Sequence, residues 1–175
     1  MRALTYVAKG VSDHYRNAKE DDEKNRLKAR TELLTPIVKG WITELAQEIT
    51  YLGVQVHGGM GFIEETGAAQ HYRDARILTI YEGTTGIQAL DLIGRKTLAD
   101  KGAALTELLD EIQDDIRKVT SPELQDLVEG LQEALNQEKD AKQWVLEVGR
   151  NDTSAAGGAS VSFMMLMGYL CGGWL

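Results

Sequence analysis

Apolar residues recur every three or four positions along most of this 175-residue chain. Strand-like alternation is nowhere sustained, so the pattern predicts helices throughout. Leu4, Val7 and Val11 set the first, from Arg2 to about Tyr15. The charged run Asn17–Arg30 reads as a solvated helix face or a loop between helices. Leu34, Val38, Trp41, Leu45, Ile49 and Leu52 then mark one buried face. Pro36 follows Thr35, so that helix either kinks there or starts there with Thr35 as its cap. Its expected end is Gly53 or the cluster Gly58-Gly59-Met60-Gly61, a turn because glycine reaches the dihedrals that turns need.

A short helix over Ala68–Arg76 and the apolar stretch Ile77–Tyr81 lead to Glu82-Gly83-Thr84-Thr85. This reads as the entry to another helix, with Thr84 or Thr85 as N-cap. Ile87, Leu90 and Ile93 or Gly94 share a face of it, with Leu98 close by. Leu105, Leu108, Leu109, Ile112, Ile116 and Val119 predict an amphipathic helix with an acidic outer side. Ser121-Pro122 starts a second helix, cap and first-turn proline in the usual order, and a third begins near Asp152. The stretch Thr153–Leu175 carries no charge and is long enough to consider as a membrane span. Its glycine, serine and alanine content and its lack of a basic flank favour a buried helix instead. The ending at Trp174-Leu175, without a polar cap, reads as a cut inside a longer protein.

Composition agrees with an all-α protein. Only two prolines and two phenylalanines occur, whereas unbranched helix formers are plentiful. The net charge of −8 is uneven: residues 1–100 carry a net −1 and residues 101–175 a net −7. A field of that sign repels phosphate backbones, so nucleic acid is not an expected partner. Cys171 is the one cysteine, which excludes an internal disulfide and fits a reducing, cytoplasmic compartment.

Few residues offer chemistry. Glu82 stands in Ile80-Tyr81-Glu82-Gly83-Thr84, a carboxylate among apolar neighbours. Burial there would favour its neutral form and suit it to work as a general base. The plainer alternative is a carboxylate favoured by a helix N-terminus. His57-Gly58-Gly59-Met60-Gly61 is either a phosphate cradle or an ordinary helix-ending turn. Its spacing is not that of a dinucleotide fingerprint. His14, His57 and His71 lack the spacing of a zinc site, and no metal is expected.

Three segments together resemble the C-terminal domain of acyl-CoA dehydrogenases: Gln55-Val56-His57-Gly58-Gly59-Met60-Gly61-Phe62, Arg73-Asp74-Ala75-Arg76-Ile77 and Ile80-Tyr81-Glu82-Gly83-Thr84. Their order and spacing match across about residues 1–100. Residues 101–175 are similar to the extra helical region of the larger bacterial members. The resemblance implies an up-and-down helical bundle in 1–100 followed by a second small helical domain in 101–175. It also implies a full enzyme in which a β domain, absent from this chain, helps to hold FAD.

By that resemblance Glu82 is the catalytic base that removes the α-proton of an acyl-CoA thioester. Tyr81, Glu82 and Gly83 lie at the substrate, with the Glu82 backbone N–H on the thioester carbonyl. Gln55, Gly58 and Gly59 meet the FAD of the neighbouring subunit, and Thr84 contacts FAD beside the catalytic loop. Implied partners are an acyl-CoA, electron-transferring flavoprotein and further copies of the chain in a homodimer or tetramer. One position departs from the family: Gly86 stands where Gln is common, so the FAD contact of that side chain has no counterpart. Trp41, Tyr51 and Met60 are expected in core packing rather than along an acyl pocket. The isolated chain is expected to be colourless and inactive. Two alternatives stay open, an acyl-CoA oxidase fragment and a flavin-free helical assembly module.

Overall fold

A computed structural model describes residues 1–175 as nine α-helices joined by short turns, with no strand. Helix α1 (Arg2–Asn17) runs into α2 (Asp21–Val56), which absorbs most of the charged run. Three carboxylates, Asp21, Asp22 and Glu23, occupy its first turn and favour the positive end of the helix dipole. At 36 residues α2 is about 54 Å long and forms the spine of the molecule.

Pro36 neither starts nor ends α2, which corrects the expectation of a helix beginning at Thr35. The Thr35 hydroxyl donates instead to the Thr31 carbonyl at 2.7 Å, as an interior residue does. The proline ring is buried, so packing holds the turn that the missing N–H weakens. α2 ends at Val56, two residues before Gly58 at φ +59.

The short α3 (Gly59–Phe62) and a 3₁₀ turn at Glu64–Thr66 lead to α4 (Ala68–Leu78) and α5 (Thr85–Ile93). A π-helical turn, Gly94–Leu98, links α5 to α6 (Ala103–Lys118). A 3₁₀ turn at Pro122–Leu124 starts α7 (Gln125–Val148); the Ser121 side chain makes no capping bond there. The last expected helix is two, α8 (Thr153–Gly158) and α9 (Ser160–Trp174). Asp152 caps α8, accepting from the Ala155 N–H at 2.9 Å.

Helices α1, α4, α5 and α9 all pack on α2, and α9 lies between the α2–α5 pair and α7. The charge-free C-terminal stretch is thus a buried helix: Phe163, Met164, Met167, Leu170 and Cys171 are all in the core. No helix is long and apolar enough to cross a membrane. The contact is close because glycines line it. A Cβ at Gly168 or Gly172 would overlap the indole of Trp41, which is 3% exposed. One at Gly40 would overlap the thioether of Met164. The resulting core of 22 buried residues runs from Leu4 to Cys171 and takes side chains from both halves of the chain.

Candidate functional site

The loop between α4 and α5 carries Glu82, and it is pinned from several sides. Glu82 sits at φ +54 and Gly83 at φ +93. Left-handed backbone costs a residue with a Cβ roughly 1–2 kcal/mol, so Glu82 needs support in that conformation. Lys39, midway along α2, donates from Nζ to the carbonyls of Leu78 at 2.9 Å and Gly83 at 2.6 Å. Its Nζ also stands 5.9 Å from the centre of the Tyr81 ring. The Gln88 amide donates to the Glu82 carbonyl at 3.0 Å, and the Thr85 N–H to that of Thr79 at 3.3 Å.

The helix that follows is fixed in the same way. Thr84 is the N-cap of α5 and accepts from the Ile87 N–H at 3.4 Å, while the Thr85 hydroxyl donates to Glu44 of α2. Position 83 favours glycine: its φ is positive, and a Cβ would stand 2.9 Å from the Gln88 amide nitrogen and displace that side chain.

Glu82 is nevertheless exposed, against the expectation of a desolvated carboxylate. The chain builds a floor beneath it but nothing above. Around the loop, Ile77, Ile80, Tyr81, Ile87 and Leu90 are each between 47% and 58% exposed. The inner face of α5 is Ala89, Leu92 and Ile93, so Ile87 and Leu90 do not share the buried face with Ile93. Large apolar side chains gathered at one carboxylate and left in water mark a surface built to be covered.

Gln55, Gly58 and Gly59 lie elsewhere. Gln55 is 16 residues beyond Lys39 on the same helix, about 24 Å along its axis. The structure therefore brings Tyr81, Glu82, Gly83 and Thr84 together and keeps the glycine turn apart from them. That turn is open: nothing lies within 4 Å of where a Cβ would stand on Gly58 or Gly59. Bare, exposed backbone of this kind admits the close approach of another molecule. At Gly61 the space is closed, since a Cβ would overlap the Val54 carbonyl, and α3 folds tightly onto the end of α2. A groove of about 680 Å³ opens beside it, lined by Tyr51, Phe62, Tyr72 and Arg73 among others. Of the three residues expected in the core, only Trp41 is there; Tyr51 and Met60 are exposed.

Sequence reasoning missed Lys39 and Gln88, although Lys39 left a signal. It is the one charge in the buried stretch Leu33–Trp41 of α2. An ammonium set there needs partners, and it finds two carbonyls.

Residues 5–98 match the family model described as "Acyl-CoA dehydrogenase, C-terminal domain", and residues 108–175 match "Acetyl-CoA dehydrogenase C-terminal like". The chain is 44% identical over 178 residues to a "3-methylmercaptopropionyl-CoA dehydrogenase" of Ruegeria pomeroyi, an alignment covering 99% of this chain and 30% of the relative. It is 34% identical over 158 residues to a "Broad-specificity linear acyl-CoA dehydrogenase FadE5" of Mycobacterium tuberculosis, covering 82% of this chain and 25% of that one. A solved structure, "Bd2924 apo-form", shares the fold with a TM-score of 0.58 and 23% identity, over 95% of this chain and 30% of its own. The chain thus spans less than a third of the length of these proteins.

Proposed function

Because the chain belongs to the acyl-CoA dehydrogenase family, we propose that it is the C-terminal part of an FAD-dependent enzyme that desaturates an acyl-CoA thioester between its α and β carbons. The observation that carries this reading is Glu82, held in left-handed backbone by a pinned loop and set in apolar surface that this chain leaves uncovered.

In the reaction the Glu82 carboxylate takes the proton from the α-carbon. The electron pair left behind forms the α,β double bond as hydride departs from the β-carbon. The chemistry that FAD supplies when bound is acceptance of that hydride, with electron-transferring flavoprotein as the onward acceptor. The Glu82 backbone N–H donates to the thioester oxygen, which gains negative charge as the proton leaves; a donor fixed in advance stabilises that charge most. Tyr81 and Gly83 complete the substrate side. Thr84 borders the flavin on this subunit, and Gln55, Gly58 and Gly59 present backbone to the flavin of a neighbouring copy in a homodimer or tetramer.

The exposure of Glu82 supports a further part of the proposal, that the chain alone neither keeps flavin nor turns over. Proton abstraction from carbon needs water excluded, and the covering surface belongs to the rest of the protein. Residues 1–100 supply the catalytic bundle and residues 101–175 an additional helical domain, in a cytoplasmic enzyme. The experiment is Glu82→Gln in the full-length flavoprotein, mixed without oxygen with acyl-CoA. The flavin of the parent bleaches, and that of the variant stays oxidised. Equal bleaching in both would remove Glu82 from the reaction.

A further inference from the structure

We propose that Lys39 and Gln88 are positioning residues: a two-armed clamp that fixes the Glu82 backbone and thereby aims its carboxylate at the α-carbon. The inference rests on the proposed role of Glu82 as base. Lys39 Nζ spans the loop, binding the last carbonyl of α4, at Leu78, and the carbonyl of Gly83 on the far side of Glu82. The Leu78 carbonyl is one that α4 leaves without an internal partner. The Gly83 carbonyl belongs to a residue at φ +93 that no helix would otherwise restrain.

Gln88 adds the second arm, from the first turns of α5 to the Glu82 carbonyl itself. One residue is therefore held on its own carbonyl and on that of its successor, and its left-handed conformation is over-determined. Tyr81 lies with its ring toward the same ammonium. The neighbour on its other side is thus tied to the clamp as well.

The clamp stands on a rigid platform. Next to Lys39, Gly40 has no Cβ, and the Met164 thioether of α9 fills that space. The Gln88 Cβ lies 3.6 Å from the same point. Helices α2, α5 and α9 meet there, and both arms of the clamp spring from that meeting point. A base on carbon must be placed to within a fraction of an ångström, and a misplacement of about 1 Å costs on the order of 100-fold in rate. A helix C-cap alone would need only the Leu78 bond; the Gly83 and Glu82 bonds act on the base.

The test uses the full-length flavoprotein with Lys39→Met, Lys39→Arg, Gln88→Ala and Glu82→Gln. Rates are expressed per bound flavin, with acyl-CoA carrying either hydrogen or deuterium at the α-carbon. Lys39→Met is expected to lower kcat by about 10- to 100-fold with KM changed less than about threefold, and to enlarge the α-deuterium isotope effect as proton transfer becomes limiting. Lys39→Arg keeps charge and donors and recovers at least about half of the logarithmic loss. Gln88→Ala, which removes one neutral bond, loses about 3- to 10-fold and covers the case in which Lys39→Met fails to fold.

A purely structural lysine would lower the flavin-bound fraction and leave kcat per flavin and the isotope effect as in the parent; that outcome overturns the clamp. So does Gln88→Ala at parental rate and isotope effect. Glu82→Gln separates this failure from that of the underlying reading. If Glu82→Gln turns over normally, both the base and the clamp fall. If it is inactive while the Lys39 and Gln88 variants behave as the parent, the clamp alone falls.

Discussion

Residues 1–100 and 101–175 are both helical, yet they treat apolar surface in opposite ways. The first hundred residues leave fifteen large apolar side chains exposed, and the remaining part leaves six. The first part is close to neutral and the second carries a net −7. The second part turns its apolar side inward, through α9 against Trp41 and α5, and its acidic side to water. The first part keeps a bare face around Glu82 and another around the glycine turn. One region buries most of its large apolar side chains within this chain, and the other leaves many of them exposed.

The sharpest way to break this contrast is to separate the regions. Cutting after Asp100 removes α9 from Trp41, Leu92 and Ile93, all core residues. Residues 1–100 alone are expected to lose cooperative thermal unfolding and near-UV dichroism. A sharp, native-like melt of that piece would show that the second region is dispensable to the first.

A smaller change probes the same seam. Gly168→Ala places a methyl group into the Trp41 indole, and overpacking of this kind costs about 1–3 kcal/mol. Gly130→Ala, in α7 where nothing lies within 4 Å of the new Cβ, is expected to stabilise by up to about 1 kcal/mol. Urea titration of both variants reads the difference. Equal effects would mean that the α2–α9 contact is not tight.

The second region has one internal flaw. Glu138 of α7 is fully buried, and neither carboxyl oxygen has a hydrogen-bond partner. Burial pushes its pKa up from 4.5 to about 9, opposed by Lys142. The folded chain therefore keeps a proton that the unfolded chain releases between those values. Burial of the carboxyl group costs least below pH 4.5, and stability is lost progressively as pH rises toward about 9. Glu138→Leu is expected to gain roughly 1–3 kcal/mol at pH 8 and less at pH 5. A stability difference that is the same at both pH values would place the carboxylate in contact with water or a partner.

Much of this was legible in the residues. The 3.6-residue period located most of the helices, and the Thr84-Thr85 pair marked the start of α5, where Thr84 proves to be the cap. The three motif segments, taken as a set, pointed to the family. What periodicity could not supply was the destination of each face. Ile87 and Leu90 are as apolar as Leu92 and Ile93, yet only the second pair is buried within this chain. The first pair stays exposed in this chain, and a pattern of side chains does not distinguish the two. Pro36 was ambiguous because the cost of an interior proline is met by tertiary packing. The Lys39 bonds join residues about forty positions apart, beyond any local signal. The exposure of Glu82 was hidden for the same reason, since its apolar neighbours in sequence are themselves exposed.

Proton transfer at Glu82 separates a catalytic bundle from one that serves assembly alone. The direct measurement is exchange of the α-hydrogens of an acyl-CoA with deuterated water, catalysed by the full-length flavoprotein with and without Glu82→Gln. The parent is predicted to exchange α-hydrogen with solvent, and the variant to fall by at least about a thousandfold while still binding flavin. Undiminished exchange in the variant would contradict the assignment and favour a bundle that serves assembly alone.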